Sequence, residues 1–132
     1  MEFQTEKQLV LEYYAALDKA PLGGSESVLQ RYLSPSLIWR GFHPFNEISD
    51  AGHLASTVWE PIKTSLTSLQ RRMDIFFAGG NSLTSEEDRS AWVVSMGHLM
   101  GLFDQPLLGI RPTRRIAMLP YCEFLRVEDG RI

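Results

Sequence analysis

His98 is the residue whose setting points most directly to chemistry. It falls in the run Trp92-Val93-Val94-Ser95-Met96-Gly97-His98-Leu99-Met100, whose alternate residues point to opposite sides of a strand. That parity puts Trp92, Met96, His98 and Met100 on one face and Val93, Ser95, Gly97 and Leu99 on the other. An imidazole among apolar neighbours is pushed toward its neutral form. In a dry pocket it can take or give a proton. The expectation is that this apolar face is the concave one, with His98 catalytic and Trp92, Met96 and Met100 lining the cavity together with Trp39.

Other groups could supply polar contacts. The loop His43-Pro44-Phe45-Asn46-Glu47 follows Trp39, and His43 and Asn46 there suit either a pocket rim or a turn chosen for backbone geometry. Asp74 and Glu123 are acids inside strand patterns, and either could face His98 as its carboxylate partner. Tyr121 could hydrogen-bond a substrate oxygen or simply pack. Arg111, Arg114 and Arg115 cluster around Pro112, a charged loop that could meet an anionic group. Cys122 has no evident base beside it and reads as inert. No Cys/His cluster has metal-ligand spacing.

The elements that must position these residues follow from periodicity. Thr5-Glu6-Lys7-Gln8 reads as a capping box, and Leu9, Tyr13 and Leu17 recur at helical spacing behind it. Pro21 and Gly23-Gly24 stop that helix. Ser25 is a candidate cap for a second helix through Val28, Leu29 and Leu33. Asp50 is a candidate cap for a third through Leu54, Val58 and Ile62, where Pro61 demands a kink or a restart. After Leu66 the period falls to two: Leu69, Arg71, Met73, Ile75 and Phe77 alternate with Gln70, Arg72, Asp74, Phe76 and Ala78. A polar loop runs from Gly79 to Asp88. Long strands follow at Ala91 to Phe103 and Thr113 to Val127, and Glu128-Asp129-Gly130 is a hairpin-turn signal. Helices followed by a meander of long strands make an α+β domain. Gly97 and Gly101, on one strand face, invite a bend or a close backbone approach.

The 132 residues, 44% of them hydrophobic and 22% charged, suit one domain with a real core. A net charge of −3 gives no electrostatic footprint for nucleic acid or anionic membranes. No apolar run reaches the length of a transmembrane helix, and the polar N-terminus is not a secretory signal. With a single cysteine, a cytoplasmic location is the expectation.

The ordered set Trp92 to His98, Gly101-Leu102-Phe103, Gly109 to Thr113 and Phe124 to Ile132 resembles SnoaL-like polyketide cyclases of the nuclear transport factor 2-like superfamily. His43 to Glu47 and Asp74 to Gly79 also resemble a bacterial "predicted ester cyclase" subgroup. The resemblance implies a cone-shaped curled antiparallel sheet with N-terminal helices in its mouth, and often a homodimer packed through the sheet. It also implies cofactor-free chemistry on a hydrophobic carbonyl compound, in which a C–H proton is lost and the accepting carbonyl is protonated. The family's Gly-His-x-x-Gly histidine falls on His98. With Trp39, His43, Asn46, Trp92, Met96, Met100, Tyr121 and Glu123 as substrate-binding candidates, this is the expected site. A non-catalytic ligand-binding or dimerisation domain of the same fold is the alternative.

Three departures stand out. Arg114 replaces the glycine of a Pro-Thr-Gly turn, so a positive φ there would be strained. Pro120 removes a ladder donor and suggests an edge strand or a bulge. The family's last strand, which carries its catalytic acid, has no counterpart after Asp129-Gly130. The expectation is therefore a single SnoaL-like domain over 1–132, truncated at its C-terminus. Its strand 113–127 would be either an edge buried by dimerisation or moved to the interior of the sheet.

Overall fold

The computed structural model describes residues 2–81 and 90–132. The polar loop expected to run to Asp88 lies outside the described residues from Ser82 onward. Three helical segments come first: α1 (Gln4–Lys19), α2 (Ser25–Tyr32) and a third that starts as α3 (Ala51–Leu54). A short β1 (Trp39–Arg40) pairs with β2 (Glu47–Ile48) between the second and third. The third segment passes through a π-helical turn, Ala55–Trp59, and resumes as α4 (Glu60–Ser65) with Pro61 in its first turn. The chain stays helical through Trp59 and Glu60, and the Glu60 amide bonds back to the Ala55 carbonyl, so the widened π turn lies immediately before Pro61, where the missing amide leaves the helix one donor short. In place of the expected kink or restart, the helix runs unbroken from Ala51 to Ser65 with a π turn ahead of the proline.

The caps divide. Asp50 Oδ1 accepts from the His53 amide at 2.7 Å, as anticipated. The capping box at Thr5 does not form: α1 begins two residues earlier than that cap would place it, behind Phe3, without a side-chain cap. Ser25 lies within α2, and the free amides at that end are taken by Glu60, whose carboxylate accepts from Gly23 and Ser25 at 2.8 and 3.1 Å. A carboxylate from α4 thus does the capping and also pins α4 to α2.

β3 (Leu66–Gly80), β4 (Ala91–Phe103) and β5 (Ile116–Val127) form an antiparallel meander in the order β3-β4-β5. β5, with Pro120, lies at an edge. Turn chemistry follows the sequence at Asp129-Gly130, where both residues have positive φ and Glu128 bridges Arg131. Arg114 does take a φ of 57°, the left-handed conformation that costs a non-glycine residue. β3 is broken by register shifts between Thr67 and Gln70 and between Met73 and Ile75. Such bulges bend a strand. The second one also reverses its parity, so Arg71 pairs with Leu99 on one face while Phe76, not Ile75, pairs with Ser95 on that same face.

The helices cover the face carrying Val93, Ser95, Leu99 and Leu125, all buried. Leu17, Leu29, Leu54 and Leu66, each at most 2% exposed, fill the layer between. Each such leucine contributes about 1.5–3 kcal/mol by leaving water. At Gly97, a Cβ would lie 1.9 Å from the Arg72 carbonyl oxygen, so the backbones approach as closely as the glycine permits.

This arrangement corrects the expected concave face. Trp92, Met96, His98 and Met100 share a parity, but it is the outer one, away from the helices. Met96 is 40% exposed, and its cross-strand partners Ile75 and Cys122 are exposed too. Both faces of β4 are apolar, so parity alone does not choose between them; the helices pack on the face of Val93 and Leu99, where Gly97 and Gly101 let the bent β3 backbone come close.

Candidate active site between helices and sheet

A buried polar cluster sits under the helices, where composition alone would put hydrocarbon. Its centre is Arg71, on the inward parity of β3. The Arg71 Nε and Nη2 donate to the two oxygens of Asp18 at 2.9 and 3.2 Å. The Arg71 side chain is 5% exposed and that of Asp18 28%, so Asp18 marks the rim and Arg71 the interior. The guanidinium lies over the Tyr14 ring at 3.8 Å and also faces the rings of Tyr121 (4.9 Å) and Trp59 (5.9 Å). Tyr14 and Asp18 are one helical turn apart and so share a face of α1.

Two strand residues close the cluster. The Tyr14 hydroxyl donates to Glu123 at 2.9 Å. Ser95 Oγ and the Tyr121 hydroxyl are 3.0 Å apart. Ser95 pairs with Glu123 across the sheet, and Tyr121 precedes Glu123 by two, so strand geometry alone puts all three on the inner face.

Helix ends hold the cluster in place. Lys63 of α4 donates to the carbonyls of Leu17 and Ala20 at 2.5 and 3.1 Å. It closes the C-terminus of α1 beside Asp18, where a cation is favoured. The π-helical turn ends at Trp59, which is 5% exposed. Such turns often occur at functional sites because they re-aim a side chain.

The charges are coupled. Burial pushes the Glu123 carboxyl above the usual carboxylate range, against the opposing pull of Arg71 and of the Tyr14 hydroxyl. Burial, with the nearby Glu123 charge, raises the Tyr14 hydroxyl far above its usual value, so it stays a donor. Burial works against the Arg71 charge, but Asp18 and Glu123 more than offset it and the guanidinium stays ionised. The arrangement offers a carboxyl prone to hold its proton, a phenol beside it, and a fixed cation, between aromatic walls. Such a set can donate a proton to a carbonyl oxygen and take one back.

Of the residues expected from sequence, the structure brings Tyr121 and Glu123 into this cluster. It does not bring His98, whose Nδ1 lies 3.2 Å from Asp74 Oδ2 on the outer face. Trp92, Met96 and Met100 stay on that face as well. Trp39 stacks edge-on against Phe45 at the β1–β2 end, with ring centroids 6.1 Å apart. His43 and Asn46 are exposed in the β1–β2 loop. Asn46 has a φ of 53° and its amide donates to the Pro44 carbonyl, which is the turn role. Two shallow open grooves lie away from the cluster, one beside Gln4, Gln8 and Glu12 and one between Phe77, Trp92, Val94 and Phe124.

Arg71, Asp18, Tyr14, Trp59 and Ser95 escaped sequence analysis. The available signal was Arg71, a cation in an otherwise apolar file of β3. Its acid sits 53 residues away in the chain.

No family model matches the sequence, and no curated protein does. Solved structures do match in shape. One is a protein assigned as a SnoaL-like polyketide cyclase from Jannaschia sp. CCS1, at 20% identity and a TM-score of 0.64, covering 94% of this chain and 80% of that one. Another is an NTF2-like protein from Burkholderia thailandensis, at 16% identity and a TM-score of 0.64, covering 97% of this chain and 85% of that one. The chain has the α+β fold of these SnoaL-like, NTF2-like proteins, with helices laid on one face of an antiparallel sheet. Among the described residues, no helix is long and apolar enough to cross a membrane.

Proposed function

We propose that the protein binds a hydrophobic carbonyl compound between helices and sheet and acts on it by cofactor-free acid/base chemistry of the aldol-cyclase or isomerase kind. The observation that carries this is the pairing of Glu123 with Tyr14 at 2.9 Å beside the buried Arg71–Asp18 pair. A fold needs no such cluster for stability, since apolar side chains of similar volume are often at least as stable as a buried ion pair. In this scheme Glu123 gives its proton to the accepting carbonyl oxygen as the new bond forms. The resulting carboxylate takes up the proton lost from carbon, so the substrate is rearranged with no net gain or loss of atoms. His98 takes no part.

A specific observation also supports the dimerisation reading as a companion role. Ile75, Phe77, Met118, Ile116 and Phe124 leave the outer sheet face broadly apolar, with Phe124 66% and Ile116 71% exposed. Contiguous exposed apolar surface of this kind marks an interaction face. A homodimer through this face, in the cytoplasm, completes the proposal.

The test is mass spectrometry of organic extracts from the purified full chain. A neutral apolar carbonyl compound, retained by the wild type and lost in Tyr14→Phe/Glu123→Gln, is the expected result. Recovery of only polar anions, or equal retention by the variant, would overturn the proposal.

A further inference from the structure

The connection between β4 and β5, residues 104–115, is tied down along its length. At its base the Phe103 amide donates to the Arg115 carbonyl at 2.9 Å, and the Arg114 amide to the Phe103 carbonyl at 2.8 Å. At its tip Leu107 and Ile110 exchange backbone hydrogen bonds of 3.2 and 2.8 Å. Between the two, Ser65 Oγ donates to the Pro106 carbonyl at 2.8 Å and the Ser65 carbonyl accepts from the Asp104 amide at 2.9 Å. These bonds fasten the connection to the end of α4.

The tip is made against local preference. Leu108 and Gly109 have positive φ, 51° and 77°. Two-residue turns of this kind ordinarily carry Asn-Gly or Asp-Gly, and a leucine in the left-handed region is strained. Burial does not offset that strain: Leu108 is 53% exposed and Ile110 58%. Arg111, Arg114 and Arg115 follow, all exposed, and none is in an ion pair among the described residues. Asp104 is the one acid in the connection. The chain's net charge of −3 averages over this basic end and hides it.

The chemistry of the tip selects its partner. A nucleic acid would meet the arginines and leave Leu108 and Ile110 in water. A neutral apolar surface would cover those two and strip the arginines of water without a counter-charge. An acidic protein would need a pocket cut to a protruding turn. The boundary of an anionic bilayer supplies phosphates for the guanidinium groups and acyl chains just beneath for two aliphatic side chains, and it yields around a convex tip.

We propose that the β4–β5 connection docks the protein reversibly on an anionic lipid surface, with Leu108 and Ile110 entering the headgroup boundary and Arg111, Arg114 and Arg115 meeting lipid phosphates. Docking needs nothing from the cluster under the helices, and the two readings stand or fall separately.

Co-sedimentation of the full chain with vesicles of phosphatidylcholine alone, and of phosphatidylcholine with phosphatidylglycerol, tests it. The wild type should bind the anionic vesicles at least about tenfold more tightly than the neutral ones, and added salt should shrink the difference. Arg111→Gln/Arg115→Gln should weaken anionic-vesicle binding more than about tenfold, each arginine near such a surface being worth roughly fivefold. Leu108→Asn suits the left-handed turn and changes no charge; it should weaken binding about fivefold through lost apolar contact. The wild-type comparison of the two vesicles decides the matter if a variant does not fold. Equal binding to both vesicles, binding to neither, or anionic-vesicle binding unchanged in either variant would overturn the proposal. Retention on polyglutamate or DNA without vesicle binding would assign the arginines to an acidic macromolecule and overturn it too.

Discussion

Removing Asp18 should cost more stability than removing the arginine it holds. In Asp18→Ala the Arg71 guanidinium stays 5% exposed with its charge uncompensated. Breaking a buried pair in this way costs about 3–5 kcal/mol. Asp18 is 28% exposed, so water can enter its place, and the low end, about 3 kcal/mol, is expected. In Arg71→Met the volume is largely kept, and the carboxylate left behind sits at the rim where it can hydrate. The loss is then the stacking on Tyr14 and the charged hydrogen bonds, about 1 kcal/mol net. Urea denaturation of both variants, compared at equal m-values, measures the difference. An Asp18→Ala cost below about 0.5 kcal/mol would be the behaviour of a surface ion pair. That result, or a larger cost for Arg71→Met, would refute the placement of Arg71 in the interior.

Three further outcomes are expected. Glu123 has a folded pKa raised above its usual 4.5, so the native state binds this proton more tightly than the unfolded chain does. Glu123 should therefore make stability fall as pH rises from about 4.5 toward the raised value, by at most about 1.4 kcal/mol per pH unit. Glu123→Gln should remove that slope, and an unchanged pH profile of the melting temperature would contradict it. Gly97→Ala should destabilise by about 1–3 kcal/mol, because the new Cβ meets the Arg72 carbonyl oxygen rather than a side chain that can turn away; a change in denaturation midpoint too small to measure would contradict it. Phe124→Glu should convert the proposed dimer to a monomer by light scattering at unchanged thermal stability, and a wild-type chain already monomeric would remove the interface.

The helices and strands were legible because each has a clear period and clear stops. Leu9, Tyr13 and Leu17 marked α1, Pro61 marked the irregular turn of the third helix, and Ala91–Phe103 could be bounded from alternation alone. Parity within β4 was legible too, but not which parity the helices cover, because both faces are apolar. Val93, Ser95 and Leu99 on one side and Trp92, Met96 and Met100 on the other give no contrast in hydropathy. The bulge at Met73/Ile75 leaves no signature in residue type, so the alternation written through β3 was right as far as Arg71 and reversed beyond Asp74. The site was half legible. Tyr121 and Glu123 are adjacent on one strand face. Asp18 and Trp59 meet Arg71 only through the packing of α1 and the π-helical turn on the sheet, which local spacing does not encode.

The central claim is that the functional face is the one under the helices. Backbone amide chemical-shift mapping with α-tetralone tests it most directly, since the two faces alternate along the same strand. The largest shifts are expected at Tyr14, Trp59, Arg71, Ser95, Tyr121 and Glu123, and those shifts should persist in His98→Ala. Shifts centred on Trp92, Met96, His98 and Met100 and abolished in His98→Ala would contradict it.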